Sequence, residues 1–397
     1  MKGSERKGVA HAVGAAVVEV GEVVESVQHS LSKRTFRALG LSGSVAESAQ
    51  RAHTTGVHLS IRGIAKASSF LTGHALEHAA PTSAPSLADS RKGATAIAAM
   101  SCAFGDNMKT SGNALTPHMS VRVDGKRVEL TPEDLATVWP QASSHVVVFV
   151  HGLGGTEFAW NQPQSYGDLL SHEFDLSPVF VRYNTGAKIS DNGDELCELL
   201  TELVTNWPAD IQTLDVVGHS MGGLVLRSAC NVGQAGDSPW IPLLTNAIYL
   251  GTPHHGAPME QVAHAAIGLL GQSEHTAPIA RLANRRSAGI KDLRQGAVAA
   301  TDESASAEPK SISPDPPLLA SANHVFVASQ LLPDKWGPLT SAVGDLMVQV
   351  VSATGSHPDR GLQAPPNRSQ HRLQGVTHIG LLCDADVYEI LRLTLPY

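Results

Sequence analysis

Gly218-His219-Ser220-Met221-Gly222 forms a G-x-S-x-G pentapeptide, preceded by the apolar run LDVV at 214–217 and followed by a helical pattern from Met221 to about Asn231. A serine at the bend between a strand and a helix presents its hydroxyl for attack on a carbonyl, and only glycine-sized neighbours fit so tight a turn. The chemistry is nucleophilic acyl transfer. The helix beginning there also aims its first amides and the positive end of its dipole at the reacting group, which favours a developing oxyanion. A five-residue pattern recurs in loops by chance. The flanking strand and helix and a further glycine at 223 therefore carry the weight.

His151-Gly152-Leu153-Gly154-Gly155 follows directly on the strand-like run VVVFV at 146–150. Glycines there let backbone approach a substrate carbonyl, so the Leu153 amide pairs with that of Met221 as the expected oxyanion hole. No G-x-G-x-x-G occurs in this loop, which removes a dinucleotide reading.

A serine hydroxyl needs a base to take its proton, and the base needs a group to orient it. His378, in GVTHIGLL near the end of the chain, is the first choice as base, with His371, His324 and the His254-His255 pair as rivals. Asp345, in SAVGDLMVQVV, is the first choice as acid, with Asp334 and Asp315 as rivals. Gly152, His219, His254 and His255 are expected to contact substrate, although a structural role competes for His219 and for His151, which flank motif residues. The expected chemistry uses neither cofactor nor metal.

Strands and helices must alternate to place these groups at one sheet edge. VVVFV at 146–150, PVFVRY at 178–183, LDVV at 214–217, NAIYL at 246–250 and HVFVAS at 324–329 read as buried strands. The amphipathic stretch 192–205 reads as a helix capped by Asp191 or Asn192. SVRVDGKRVEL opens the domain with a hairpin signalled by Asp124-Gly125. The alternation predicts a mainly parallel sheet covered on both faces, with sites at the carboxyl ends of its strands. Residues 256–322 interrupt it and read as a cap insertion.

Ahead of this domain, Ala10, Val13, Val17, Val20, Val24, Val27 and Leu31 make one helical stripe, and Val57, Ile61, Ile64, Ser68, Leu71 and Ala75 make another. Residues 1–80 are thus expected to be a helical region, 81–93 a Pro- and Ser-bearing linker, and 94–397 the catalytic domain. The stripes are expected to form seams, with attachment to a membrane or lipid-granule surface and oligomer formation as the rival uses. His11, Glu19 and Glu22 break the apolar stretch near the start, which reads as a poor export signal, so a cytoplasmic location is expected, with peripheral association at most.

The chain has 397 residues, 42% of them hydrophobic, and a net charge of -8, which argues against a nucleic-acid partner. Cys102, Cys197, Cys230 and Cys383 lack C-x-x-C spacing and read as reduced thiols.

HGLGG at 151–155, GHSMGG at 218–223, GTPHHG at 251–256, GDLMV at 344–348 and GVTH at 375–378 together resemble the lipase and esterase branch of the α/β-hydrolase superfamily, especially lipases related to the deacylases of glycosylphosphatidylinositol anchors. The likeness runs over about residues 140–397. It implies an α/β-hydrolase fold with Ser220 as nucleophile, Asp345 as acid, His378 as base, and Leu153 and Met221 as oxyanion amides. RYNTG at 182–186 is similar to a segment that enters the site of such lipases. The expected substrate is a hydrophobic acyl ester. A storage-polyester depolymerase, an acyltransferase and a non-catalytic binder of lipid or granule surfaces are the alternatives.

Overall fold

Residues 145–150 are apolar at nearly every position because both faces of their strand are covered. In the computed structural model, which describes residues 1–15, 18, 45–78, 85–161, 165–256, 287–295, 316–332, 344–345, 347–356 and 367–395, Val146, Val148 and Val150 pack into one core cluster. Val147 and Phe149 pack into another, on the opposite face. All five are fully buried. Each such side chain is worth about 1.5–3 kcal/mol of transfer out of water.

The described strands form one sheet in the order β2-β1-β4-β3-β5-β6-β7-β8. They are β1 (Ser120–Val123), β2 (Lys126–Val128), β3 (His145–Val150), β4 (Ser177–Arg182), β5 (Thr213–His219), β6 (Leu244–Leu250), β7 (Asn323–Gln330) and β8 (Arg368–Gln374). Pairing from β4 through β8 is parallel, whereas β1 runs antiparallel to both β2 and β4. Asp124 and Gly125 close the β1–β2 hairpin with φ of 49° and 82°, as a two-residue turn of that hand requires. This is the α/β-hydrolase architecture expected from the sequence.

Helices Ile189–Asn206 and Met221–Ala235 cover one face through Leu196, Leu200, Leu224 and Val225. Helices Tyr166–Glu173 and Ala385–Thr394 cover the other through Tyr166, Leu170, Val387 and Leu391. Neither Asp191 nor Asn192 caps the helix Ile189–Asn206. Its cap position is Lys188, which supplies no side-chain hydrogen bond, and the helix begins three to four residues earlier than expected. Asn192 is instead buried, with Nδ2 donating to the Asn184 carbonyl.

Two compact units divide the chain: residues 1–87 with 110–115, and residues 88–109 with 116–397. In the first, residues 3–15 and Val45–His78 are helical. Lys7 pairs with Glu77 at 3.0 Å, and a Cβ on Gly14 would lie 2.4 Å from Ser69. The contact therefore runs through small residues. Ile64 and Leu71, expected in a seam, are 67% and 68% exposed, because this close approach uses the opposite side of the helix. Most of the first stripe, Val17 to Leu31, lies outside the described residues, as does most of the expected cap. No helix among the described residues is long and apolar enough to cross a membrane. The cysteines are free, with Cys102, Cys197 and Cys230 buried and Cys383 exposed.

Candidate active site

Ser220 sits at φ 53°, ψ -122°, a left-handed conformation that costs a non-glycine residue about 1–3 kcal/mol. Its surroundings hold it there. The Ser220 amide donates to the Leu250 carbonyl at 2.8 Å, and the Gly223 amide donates to the Ser220 carbonyl at 3.1 Å. The glycines are needed because backbone crowds them. A Cβ on Gly218 would lie 2.6 Å from Gly223 Cα, and one on Gly222 would lie 2.3 Å from the Val150 carbonyl oxygen. The helix Met221–Ala235 starts immediately after the serine, so the Met221 amide lies in the first turn, where no intrahelical acceptor exists.

HGLGG folds back against this bend. A Cβ on Gly152 would lie 2.9 Å from Ser220 Cβ, and Gly155 donates its amide to the Gly152 carbonyl at 3.0 Å. RYNTG supplies the buttress, a role that spacing did not disclose. Thr185 Oγ1 accepts the Gly154 amide at 3.1 Å, and Tyr183 donates its hydroxyl to the His151 carbonyl at 2.8 Å while stacking on the His151 ring. Asn184 Oδ1 accepts from Ser101 Oγ and from the Gly186 amide, and Asn184 Nδ2 donates to the Gly105 carbonyl. Among the described residues no protein acceptor takes the Leu153 amide.

His378 and Asp345 come from loops after β8 and β7, at the same edge of the sheet. His378 Nδ1 lies 2.7 Å from Asp345 Oδ2. The other carboxylate oxygen accepts the Met347 and Val348 amides at 3.0 and 2.8 Å. Burial raises the Asp345 pKa, but the facing His378 and these two amides outweigh it and hold the carboxyl below its ordinary range. Ser329 and Tyr166 donate hydroxyls to backbone carbonyls of the loop that carries His378, which fixes its course. Asp334 and Asp315 lie outside the described residues. The rivals of His378 are placed elsewhere: His324 hydrogen-bonds Tyr249 in the core, and His371 lies on the outer strand β8.

One cleft brings Ser220, His219, Gly152, Leu153 and His378 together. Ala159, Pro253, Leu293, Met347 and Leu382 give it an apolar wall. Among the described residues no Lys, Arg, Asp or Glu is in the lining. His219 is among the lining residues, its Nε2 3.0 Å from the His378 carbonyl oxygen, and burial with His378 nearby pushes its pKa down to about 3. It is therefore a neutral group that ties the serine bend to the histidine loop.

His254, expected to contact substrate, lies away from the described cleft lining, and the same expectation for His255 is not tested by the described contacts. Pro253 represents that turn in the cleft wall. His254 is fully buried, its ring against Tyr249 and Phe326 and its Nδ1 3.4 Å from Arg227 Nη1, because the turn after β6 directs it into the core. The His255 amide donates to Ser352 Oγ. Among the described residues no group of three or more His, Cys, Asp or Glu could hold a metal ion.

Residues 140–292 match the family described as Putative serine esterase (DUF676). The esterase match takes in both HGLGG and the serine bend and ends within the helix Ala288–Gln295. Among solved structures, the mature lipase BlEst2 of Bacillus licheniformis is similar at 18% identity and a TM-score of 0.43, over 64% of this chain and 92% of that one. A lipase-esterase related protein from Clostridium acetobutylicum is similar at 12% identity and a TM-score of 0.34, over 64% and 95%. No curated protein matches the chain.

Proposed function

We propose that the protein is a serine carboxylic ester hydrolase that works through an acyl-enzyme on an uncharged, hydrophobic ester. The observation that carries this reading is the shared cleft of Ser220, held at positive φ, and His378, held by Asp345 at 2.7 Å. Asp345 accepts the Nδ1 proton of His378, which leaves Nε2 as the basic nitrogen. Nε2 takes the Ser220 proton as Oγ bonds to the carbonyl carbon. The Leu153 and Met221 amides donate to the oxyanion of the tetrahedral intermediate. His378 then returns the proton to the departing alcohol, and a water deprotonated by the same nitrogen releases the acid and restores Ser220.

Substrate class follows from the wall. Among the described residues the lining is apolar and carries no Lys, Arg, Asp or Glu, and such a wall accepts alkyl groups and discriminates against charge near the ester, whose desolvation it cannot offset. The test is hydrolysis of p-nitrophenyl butyrate together with covalent labelling by a fluorophosphonate. Expected is stoichiometric labelling that blocks hydrolysis and disappears in Ser220→Ala. A Ser220→Ala protein hydrolysing as fast as the parent would overturn the assignment.

A further inference from the structure

The helix Ala288–Gln295 is one part of the expected cap that the structure describes, and it is fastened to the body at three points. The Ala288 amide, at the helix start, donates to Asp106 Oδ2 at 3.1 Å. The Gly289 amide donates to the Gly186 carbonyl at 3.2 Å, at the end of the RYNTG segment. Asp292 Oδ2 accepts the Ile189 amide at 2.8 Å, which provides the cap that the helix Ile189–Asn206 lacks from its own Lys188. The approach is close: a Cβ on Gly289 would lie 2.3 Å from the Thr185 carbonyl oxygen and 3.2 Å from Met221 Cε. Ile290 is buried in the main core, and Leu293, 4% exposed, faces the cleft that holds Ser220 and His378.

We infer that Leu293 sets the length of acyl chain this site accepts, and that Asp292 is the positioning residue that holds it as a fixed wall. This rests on the esterase reading above. A hydrogen-bonded clamp to the loop that supports Gly154, and to the helix beside it, keeps the Leu293 side chain at a constant distance from Ser220. A chain long enough to reach it must therefore stop or bend. Removing methylenes from a hydrophobic pocket wall changes discrimination between neighbouring chain lengths by about tenfold or more.

The experiment measures kcat/KM for p-nitrophenyl esters from acetate to palmitate on the full chain and its variants, with fluorophosphonate labelling of Ser220 in parallel. Leu293→Ala is expected to move the preference to longer acyl chains, raising the long-to-short ratio about tenfold. Leu293→Phe is expected to move it to shorter ones. Asp292→Asn keeps an oxygen to accept the Ile189 amide and is expected to retain the parent profile, whereas Asp292→Ala broadens it. Unchanged profiles in Leu293→Ala and Leu293→Phe, with normal labelling, overturn the inference while leaving the esterase reading intact. A parent chain that neither labels nor hydrolyses any ester in the series removes both.

Discussion

Asp345 and His378 are joined twice: the side chains meet at 2.7 Å between Oδ2 and Nδ1, and the His378 amide donates to the Asp345 carbonyl at 3.2 Å. The backbone bond fixes the separation of the two loops, so the imidazole is oriented before any substrate arrives. Asp345→Asn preserves that bond and most of the side-chain shape but can present a donor where the histidine needs an acceptor. Expected is a fall in kcat of roughly 10³–10⁴-fold with a near-normal melting temperature. A loss of less than tenfold, measured on p-nitrophenyl butyrate, would remove Asp345 from the proposed triad.

Thr185 acts on the same centre from the other side. Its hydroxyl accepts the Gly154 amide, which fixes the loop that carries the Leu153 amide. Thr185→Val should lower kcat about fivefold, the worth of one hydrogen bond of about 1 kcal/mol, and leave KM little changed. Thr185→Ser should restore it. Equal losses in both variants would mean that packing, not the hydroxyl, matters.

Gly222 tests the crowding at the bend. A methyl there meets the Val150 carbonyl oxygen at 2.3 Å, and backbone in the central strand cannot move aside. Gly222→Ala is expected to cost about 1–3 kcal/mol of stability by overpacking, and to displace Ser220 as well. Gly63 is the matched control, since nothing lies within 4 Å of a Cβ at that position in the helix Val45–His78. Gly63→Ala should stabilise its helix by about 0.5–1 kcal/mol. Urea unfolding of both variants decides the point, and equal shifts in the two would sink the steric account.

Stability should fall as the solution is acidified below neutrality. Burial pushes the pKa of His151 down to about 4, and burial together with His378 pushes that of His219 down to about 3, while the unfolded chain protonates them near 6.5. Between about pH 4 and 6.5 the unfolded state therefore binds more protons than the native state, so stability is fully present above 6.5 and declines below it. Each histidine contributes up to about 1.4 kcal/mol per pH unit in that window. Asp345, whose carboxyl is held low, loses its contribution only below the unfolded value near 3.9. Urea midpoints that stay constant from pH 7 to pH 5 would contradict this.

What local spacing determined is what local physics governs. The run at 146–150 is a doubly covered strand because no polar side chain interrupts it, and Asp124-Gly125 is a hairpin turn because those two residues tolerate positive φ. The bend at Ser220 was legible because strand, small residues and helix are contiguous. Contacts between residues far apart along the chain were not legible. His254 looked like a pocket residue beside Gly251-Thr252-Pro253, yet the packing of Tyr249 and Phe326 takes it into the core. The helix Ile189–Asn206 carries plausible capping residues in its first turn, yet its cap comes from Asp292, 103 positions away. The service of RYNTG to HGLGG depends on two neighbouring strands, β3 and β4, ending in register at the same edge. Sequence determined the central strands, the hairpin and the serine bend, because periodicity and turn chemistry act over a few residues, whereas β8 and the helix Tyr166–Glu173 were not read from it. Only the tertiary structure decided which side chains meet, because that depends on how the sheet brings distant loop ends together.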